Sequence, residues 1–204
     1  MRRFILTGAP GSGKTAILRQ LEIDGCSVVE EAATDVIAAA QAQGTADPWT
    51  RPSFIDAVVR LQQARRDRAS GQPDDVQFHD RSPVCTAALA TYLGYPWSPA
   101  LSAELEAIRN EALYEPRVFF IRTLGFITPT EARRISYDET LRFESIHEQT
   151  YRDLGFELVP IEAATVMERV DAIQAAIRAG LFTVPARRRG ESAERSPALT
   201  DLRR

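Results

Sequence analysis

GAPGSGKT, residues 8–15, follows the apolar run FIL and opens onto a stretch of helical periodicity that begins at Lys14. It fits the pattern G-x-x-x-x-G-K-[ST], and its setting strengthens the fit. RRFILTG (2–8) reads as a short buried strand, and Lys14 to about Leu21 reads as a helix. That is the strand–loop–helix context a phosphate-binding loop requires. Glycines let successive backbone N–H groups turn inward, and the helix N-terminus adds its partial positive charge. Gly8, Ala9, Pro10, Gly11, Ser12, Gly13, Lys14, Thr15 and Ala16 are therefore expected to hold a nucleoside triphosphate. Lys14 would bridge the terminal phosphates, and the Thr15 hydroxyl would reach Mg²⁺.

Lysine and arginine total 25, yet Lys14 is the single lysine in the chain. Arginine serves everywhere else. A compact ammonium on a flexible stem suits the phosphate loop where a planar guanidinium does not. The exception falls where the chemistry asks for it.

The chain is 204 residues long and 44% hydrophobic, enough for one compact core. Its net charge of −3 is uneven. From Ala186 onward six arginines face three acids, so the preceding body carries about six negative charges. An acidic body argues against a broad nucleic-acid footprint. The division expected is one domain over 1–184 with a lid at about 128–150, then a basic tail over 185–204. The tail's composition favours a solvated, poorly ordered end, with a protein or lipid contact as the alternative. Cys26 and Cys85 form no metal or disulfide pattern, and no run is long enough for a membrane span. The reading is a cytoplasmic protein.

Strands alternate with helices throughout. SVVEE (27–31), VQFHD (76–80), RVFFI (117–121) and FELVPI (156–161) read as further strands. Helices are expected over ATDVIAAAQAQ, over FIDAVVRLQQARRDRA, and over 98–113, where Ser98 caps and Pro99 takes the first position. Capping boxes at Thr128–Glu131 and Ser136–Glu139 predict two consecutive helices broken near Ser136, the second ending at Gly155. Thr165 with Glu168 caps a last helix that stops at Gly180. This is α/β, a parallel sheet covered on both faces.

Several phosphate-loop classes are excluded. A guanine-specific switch needs an N/T-K-x-D element, which one lysine at position 14 and one asparagine at 110 cannot build. No L-S-G-G-Q sequence marks a transporter ATPase, and no length remains for the extra helical lid of a ring-forming ATPase. A kinase-like fold survives, whether it works as a kinase or as a nucleotide-binding regulator.

Candidate site residues follow from the ends of the strands, where an open parallel sheet binds its ligands. HDRS (79–82) ends the third strand, so Asp80 is placed to orient Mg²⁺ and Arg81 to meet an acceptor. His79 faces the opposite way and is expected to pack. Glu30 and Glu31 end the second strand; Glu31 is the better candidate for a base, with a helix-dipole role as the alternative. Arg133 and Arg134, with Arg142 further along, are candidates to stabilise a transferring phosphoryl group. Trp49, after Pro48, could stack on an acceptor or anchor its loop, and anchoring is favoured. Trp97 is read as a packing residue.

These features together resemble a known group, the small and mostly bacterial AAA-family ATPases with a nucleoside- and nucleotide-kinase core. The group includes the ribosylnicotinamide kinase part of some NAD-synthesis regulators and a nucleotide-binding protein of animal photoreceptor trafficking. The resemblance spans about residues 3–180 and rests on six stretches: FILTGAPGSGKT, VEEAA, the PW loop, HDRS, EARRISYDETLRFESIHEQTYRDLGFELV and MERVDAI. Thr34 and Ser82 depart from it, standing where the group more often has Arg and Gly. The resemblance implies a three-layer fold with strand order 2-3-1-4-5, ATP or GTP with Mg²⁺, and a lid over the phosphates. The turn over 160–165 is expected to read the base. No acceptor is named by it; the expectation is a small metabolite such as a nucleoside. Of the two activities, phosphoryl transfer stands first. A regulatory NTPase acting through a protein or lipid is the alternative.

Overall fold

The computed structural model describes residues 1–71, 74–123 and 137–180. Its elements run β1 (Arg2–Thr7), α1 (Lys14–Ile23), β2 (Ser27–Val29), α2 (Ala33–Ala42), α3 (Ser53–Ala69), β3 (Val76–Asp80) and α4 (Pro83–Tyr92). They continue with α5 (Pro99–Glu111), β4 (Arg117–Ile121), α6 (Tyr137–Asp153), β5 (Glu157–Ile161) and α7 (Val166–Arg178). A 3₁₀ turn, Pro48–Thr50, sits between α2 and α3.

The five strands form one parallel sheet in the order β2-β3-β1-β4-β5, as expected. Alternation along each strand divides the core in two. Phe4, Leu6, Phe78, Phe119 and Ile121 point to one face, where α1 supplies Ile17, Leu18 and Leu21 and α7 supplies Val170 and Ile173. Ile5 and Val118 point to the other, beneath α3, α4, α5 and Tyr151 of α6. Helices therefore cover both faces, the three-layer arrangement that parallel strands require.

Two differences from expectation have clear causes. Strand β2 is only three residues long and ends at Val29, so Glu30 and Glu31 lie beyond the strand. Helix α4 had no counterpart in the sequence reading. Its burial is almost continuous (Pro83, Val84, Cys85, Thr86, Ala87, Ala88 and Ala90), so it carries no amphipathic stripe. Its Ser-Pro start and the stop at Gly94, with φ of +74°, are the signals that mark it.

Elsewhere local chemistry behaves as read. Ser98 accepts from the Leu101 N–H at 3.1 Å, capping α5, and donates to Asp56 of α3 at 2.5 Å. Helix α6 starts at Tyr137, and Gly155 beyond it has φ of +84°. Thr165 and Glu168 form the reciprocal capping box of α7. Trp97 is the exception: it is 41% exposed and donates from Nε1 to Thr91 Oγ1 at 3.3 Å, so it is a surface residue and not a core one. Both edges of the sheet are irregular, β2 by its shortness and β5 by Pro160 within it. Among the described residues no helix is long and apolar enough to cross a membrane.

The cap of α7 gives a direct check. Thr165→Ala removes the hydroxyl that accepts from the Glu168 N–H and is expected to cost about 1 kcal/mol. In urea unfolding the midpoint should fall with the slope unchanged.

Candidate functional site

The loop over Gly8–Gly13 leaves the end of β1 in a sequence of unusual backbone angles. Gly8, Gly11 and Gly13 have φ of +134°, +81° and +87°. Gly8 is also crowded: a Cβ there would lie 2.3 Å from the Ile121 carbonyl oxygen of β4. Only glycine fits both constraints. Lys14 begins α1 and curls back over the loop. Its Nζ donates to the Gly8 and Ala9 carbonyls at 3.0 and 2.8 Å and to Ser12 Oγ at 3.2 Å. Burial, helped by the Arg81 guanidinium, pulls its pKa down from 10.5 to about 7. Thr15 is exposed at the second helical position.

At the end of β3, Asp80 and Arg81 sit beside this lysine. Burial raises the Asp80 carboxyl above its usual range against the pull of Lys14 and Arg81. Its Oδ1 is buried without a hydrogen-bond partner. Arg81 takes φ of +70°, rare for a residue with a side chain, and its N–H donates to the Leu6 carbonyl at 3.0 Å. The turn aims the guanidinium at Glu31, with Nε 3.3 Å from Oε1.

Glu31 is held from three directions. Thr34 donates to its Oε2 at 2.7 Å, Arg81 pairs with Oε1, and Arg65 of α3 donates to the Glu31 carbonyl and to the Glu30 carbonyl at 3.1 Å. Thr34 thus has a task of its own at the position where an arginine was expected. Glu30 instead pairs with Arg19 on the surface at 2.6 Å. Of the two glutamates, Glu31 is the one that pairs with Arg81.

Arg81 has a second neighbour that sequence reasoning missed. His147 of α6 is fully buried, and its Nδ1 lies 3.0 Å from the Phe143 carbonyl. A carbonyl can only accept, so Nδ1 carries the proton and Nε2 is left as an acceptor. That acceptor faces Arg81 Nη1 at 3.4 Å. Burial and the Arg81 charge hold the His147 pKa down at about 3. His79, as expected, packs: it meets the Tyr114 ring edge-on and lines a cavity of about 10 Å³ with Gln62, Arg65, Asp80 and Tyr114.

Beneath the loop, Thr7 Oγ1 lies 3.1 Å from Cys85 Sγ, and the Tyr151 hydroxyl lies 3.0 Å from that sulfur and 2.9 Å from Ser82 Oγ. Ser82 therefore binds Tyr151 instead of capping α4. This buried set joins β1, α4 and α6 under the site.

Of the expected lid, residues 137–150 form most of α6, with Thr140, Phe143, Glu144, His147 and Thr150 buried. Arg122, just past β4, ties that helix down through Glu144 at 2.9 Å and through Glu148. Arg142 lies over the Tyr92 ring, 5.8 Å from its centroid. Trp49 packs on the core, and its carbonyl accepts from Tyr95 Oη at 3.0 Å, in line with anchoring. Arg133, Arg134, the first helix of the 128–150 pair and the basic tail lie outside the described residues.

With this geometry in view, a family model described as an AAA domain matches residues 3–169. The chain belongs to that family. No curated protein matches this AAA domain. Among solved structures it is similar to deoxyadenosine kinase from M. mycoides. With dCMP and a flexible dCDP bound, that enzyme gives a TM-score of 0.57 at 12% identity, covering 87% of this chain and 99% of the enzyme. The dATP-bound form gives 0.53 at 12% identity, covering 86% and 99%. The dCTP-bound form gives 0.50 at 16%, covering 88% and 100%. At these identities the likeness is one of fold, and the AAA domain has the nucleoside-kinase-like architecture that its sequence led us to expect.

Both histidines of the AAA domain are buried with pKa values near 3. Neither should titrate between pH 5 and 8 in ¹⁵N-histidine NMR, and His147 should show the Nδ1–H tautomer. Because the unfolded chain binds these protons near pH 6.5 and the folded one does not, their contribution to stability falls as pH drops from about 6.5 toward 3.

Proposed function

We propose that the protein is a Mg²⁺-dependent phosphotransferase that moves the γ-phosphoryl group of ATP or GTP to a hydroxyl- or phosphate-bearing metabolite, such as a nucleoside. The observation that carries this reading is the convergence of Lys14, Asp80, Arg81 and Glu31 at the carboxyl ends of β1, β2 and β3. A phosphate loop alone would serve a switch or a motor equally well. A carboxylate held by Thr34 and Arg81 beside that loop suits an acceptor that must lose a proton.

In this scheme Gly8–Ala16 hold the triphosphate, with Lys14 moving from the loop carbonyls to the terminal phosphates. Thr15 and Asp80 are the residues that would hold Mg²⁺. The orphaned Asp80 Oδ1 and the glycine-lined loop fit that assignment. When bound there, Mg²⁺ would supply neutralisation of the negative charge on the transferring phosphoryl group. Glu31 accepts the acceptor's hydroxyl proton as its oxygen bonds to the γ-phosphorus. The bond from that phosphorus to the β-bridging oxygen breaks, and the nucleoside diphosphate leaves with the electron pair. Arg81 orients Glu31 and the acceptor, while Arg133 or Arg134 stabilises the transferring group.

Native mass spectrometry of co-purified ligand, followed by a thermal-shift screen of metabolites with a non-hydrolysable ATP analogue, tests the reading. A kinase should consume ATP faster with one metabolite, and Glu31→Gln should cut that rate by about 10²–10⁴-fold with little change in nucleotide affinity. Hydrolysis indifferent to every metabolite but altered by a protein or lipid would instead favour a regulatory NTPase.

The lowered Lys14 pKa adds a second expectation. At pH 8 the free lysine is mostly neutral, whereas an adjacent triphosphate favours the ammonium. Nucleotide binding should then take up close to one proton at pH 8 and almost none at pH 6. Calorimetry in buffers of different ionisation enthalpy reads this directly.

A further inference from the structure

Arg169 lies in the first turn of α7, 157 positions from the loop residue it touches, and is only 3% exposed. Among the described residues its guanidinium pairs with no carboxylate. Three main-chain carbonyls receive it instead: Ser12 of the phosphate loop at 2.6 Å, Arg122 after β4 at 2.6 Å, and Glu162 after β5 at 2.9 Å. Burying a guanidinium is costly, here offset in part by the Glu162 carboxylate, and packing alone would be served by an apolar side chain. The geometry of the contact suggests what is gained.

Across a trans peptide the C=O of one residue and the N–H of the next point in opposite directions, and the chain has no cis peptide among its described residues. Gripping Ser12 C=O from the α7 side therefore turns the Gly13 N–H away from α7. Gly13 has no Cβ to resist rotation, so this peptide is among the easiest in the loop to flip. It also immediately precedes α1, where N–H groups have no partner within the helix.

We propose that Arg169 is a positioning residue for phosphate binding: it locks the Ser12–Gly13 peptide with the Gly13 N–H presented to the phosphates, and through Glu162 it keys the loop to the β5–α7 turn. The inference rests on the triphosphate reading above. It assigns a role in nucleotide affinity to a residue far outside the loop motif, in the stretch MERVDAI.

The test uses the full chain as wild type, Arg169→Lys and Arg169→Met. Lysine keeps the charge but cannot span three carbonyls, and methionine keeps only the stem. Titration calorimetry with inorganic tripolyphosphate and with Mg-ATP should show affinity falling about tenfold or more for Arg169→Lys, and further for Arg169→Met. The Gly13 amide resonance of the ligand-free protein should shift in Arg169→Lys and exchange faster with solvent, a local change that a purely structural role would not produce. Should Arg169→Met fail to fold, Arg169→Lys decides alone. Equal affinities with an unmoved Gly13 amide overturn the proposal while leaving the triphosphate reading intact. A wild-type protein that binds neither probe overturns both.

Discussion

The site depends on how closely the end of β1 approaches the end of β4. At Gly8 the gap admits a hydrogen and nothing larger, since a Cβ would fall 2.3 Å from the Ile121 carbonyl. That approach brings the phosphate loop against the strand whose next residue, Arg122, both anchors α6 and offers its carbonyl to Arg169. A side chain at position 8 would push β4 away from β1 and disturb all of these contacts together. The first glycine of the loop is thus a packing constraint on the whole sheet end, as well as a source of backbone freedom.

Charge placement follows from the same crowding. Lys14 and Arg81 are buried basic groups, and Asp80 and Glu31 are the carboxylates beside them. The four partly neutralise one another, which makes their burial tolerable, yet no pair is a tight bidentate bridge. Arg81 is aimed by its own strained backbone and steadied by the lone pair of a neutral His147. A protonated histidine there would repel it. Burial of the imidazole, which prevents that protonation near neutral pH, therefore belongs to the design of the site.

The fold was largely legible because its signals are local. Glycines and capping residues mark where helices start and stop, and short β-branched or aromatic runs mark strands, so order and class could be read residue by residue. What escaped was whatever depends on tertiary neighbours. Helix α4 lacks periodicity because every side of it is covered. His147 and Tyr151 stand in an ordinary-looking charged helix, and only packing against α4 and Arg81 gives them meaning. Arg169 lies among several helical arginines, and nothing in its spacing separates a carbonyl clamp from a solvated cation. Within the candidate site, Lys14 was reachable through the loop motif, and Asp80, Arg81 and Glu31 because they stand at or just past a strand end. Thr34 was noticed only as a departure, and its bond to Glu31 explains why a short hydroxyl can occupy that place.

The unequal edges of the sheet bear on how this molecule meets others. A three-residue β2 offers too little length to template a further strand, and Pro160 leaves β5 without an N–H donor in its middle. Both edges therefore disfavour the main-chain pairing by which many domains recruit an extended peptide. Among the described residues, what remains for a partner is side-chain recognition on the helical layers or at the loop end of the sheet.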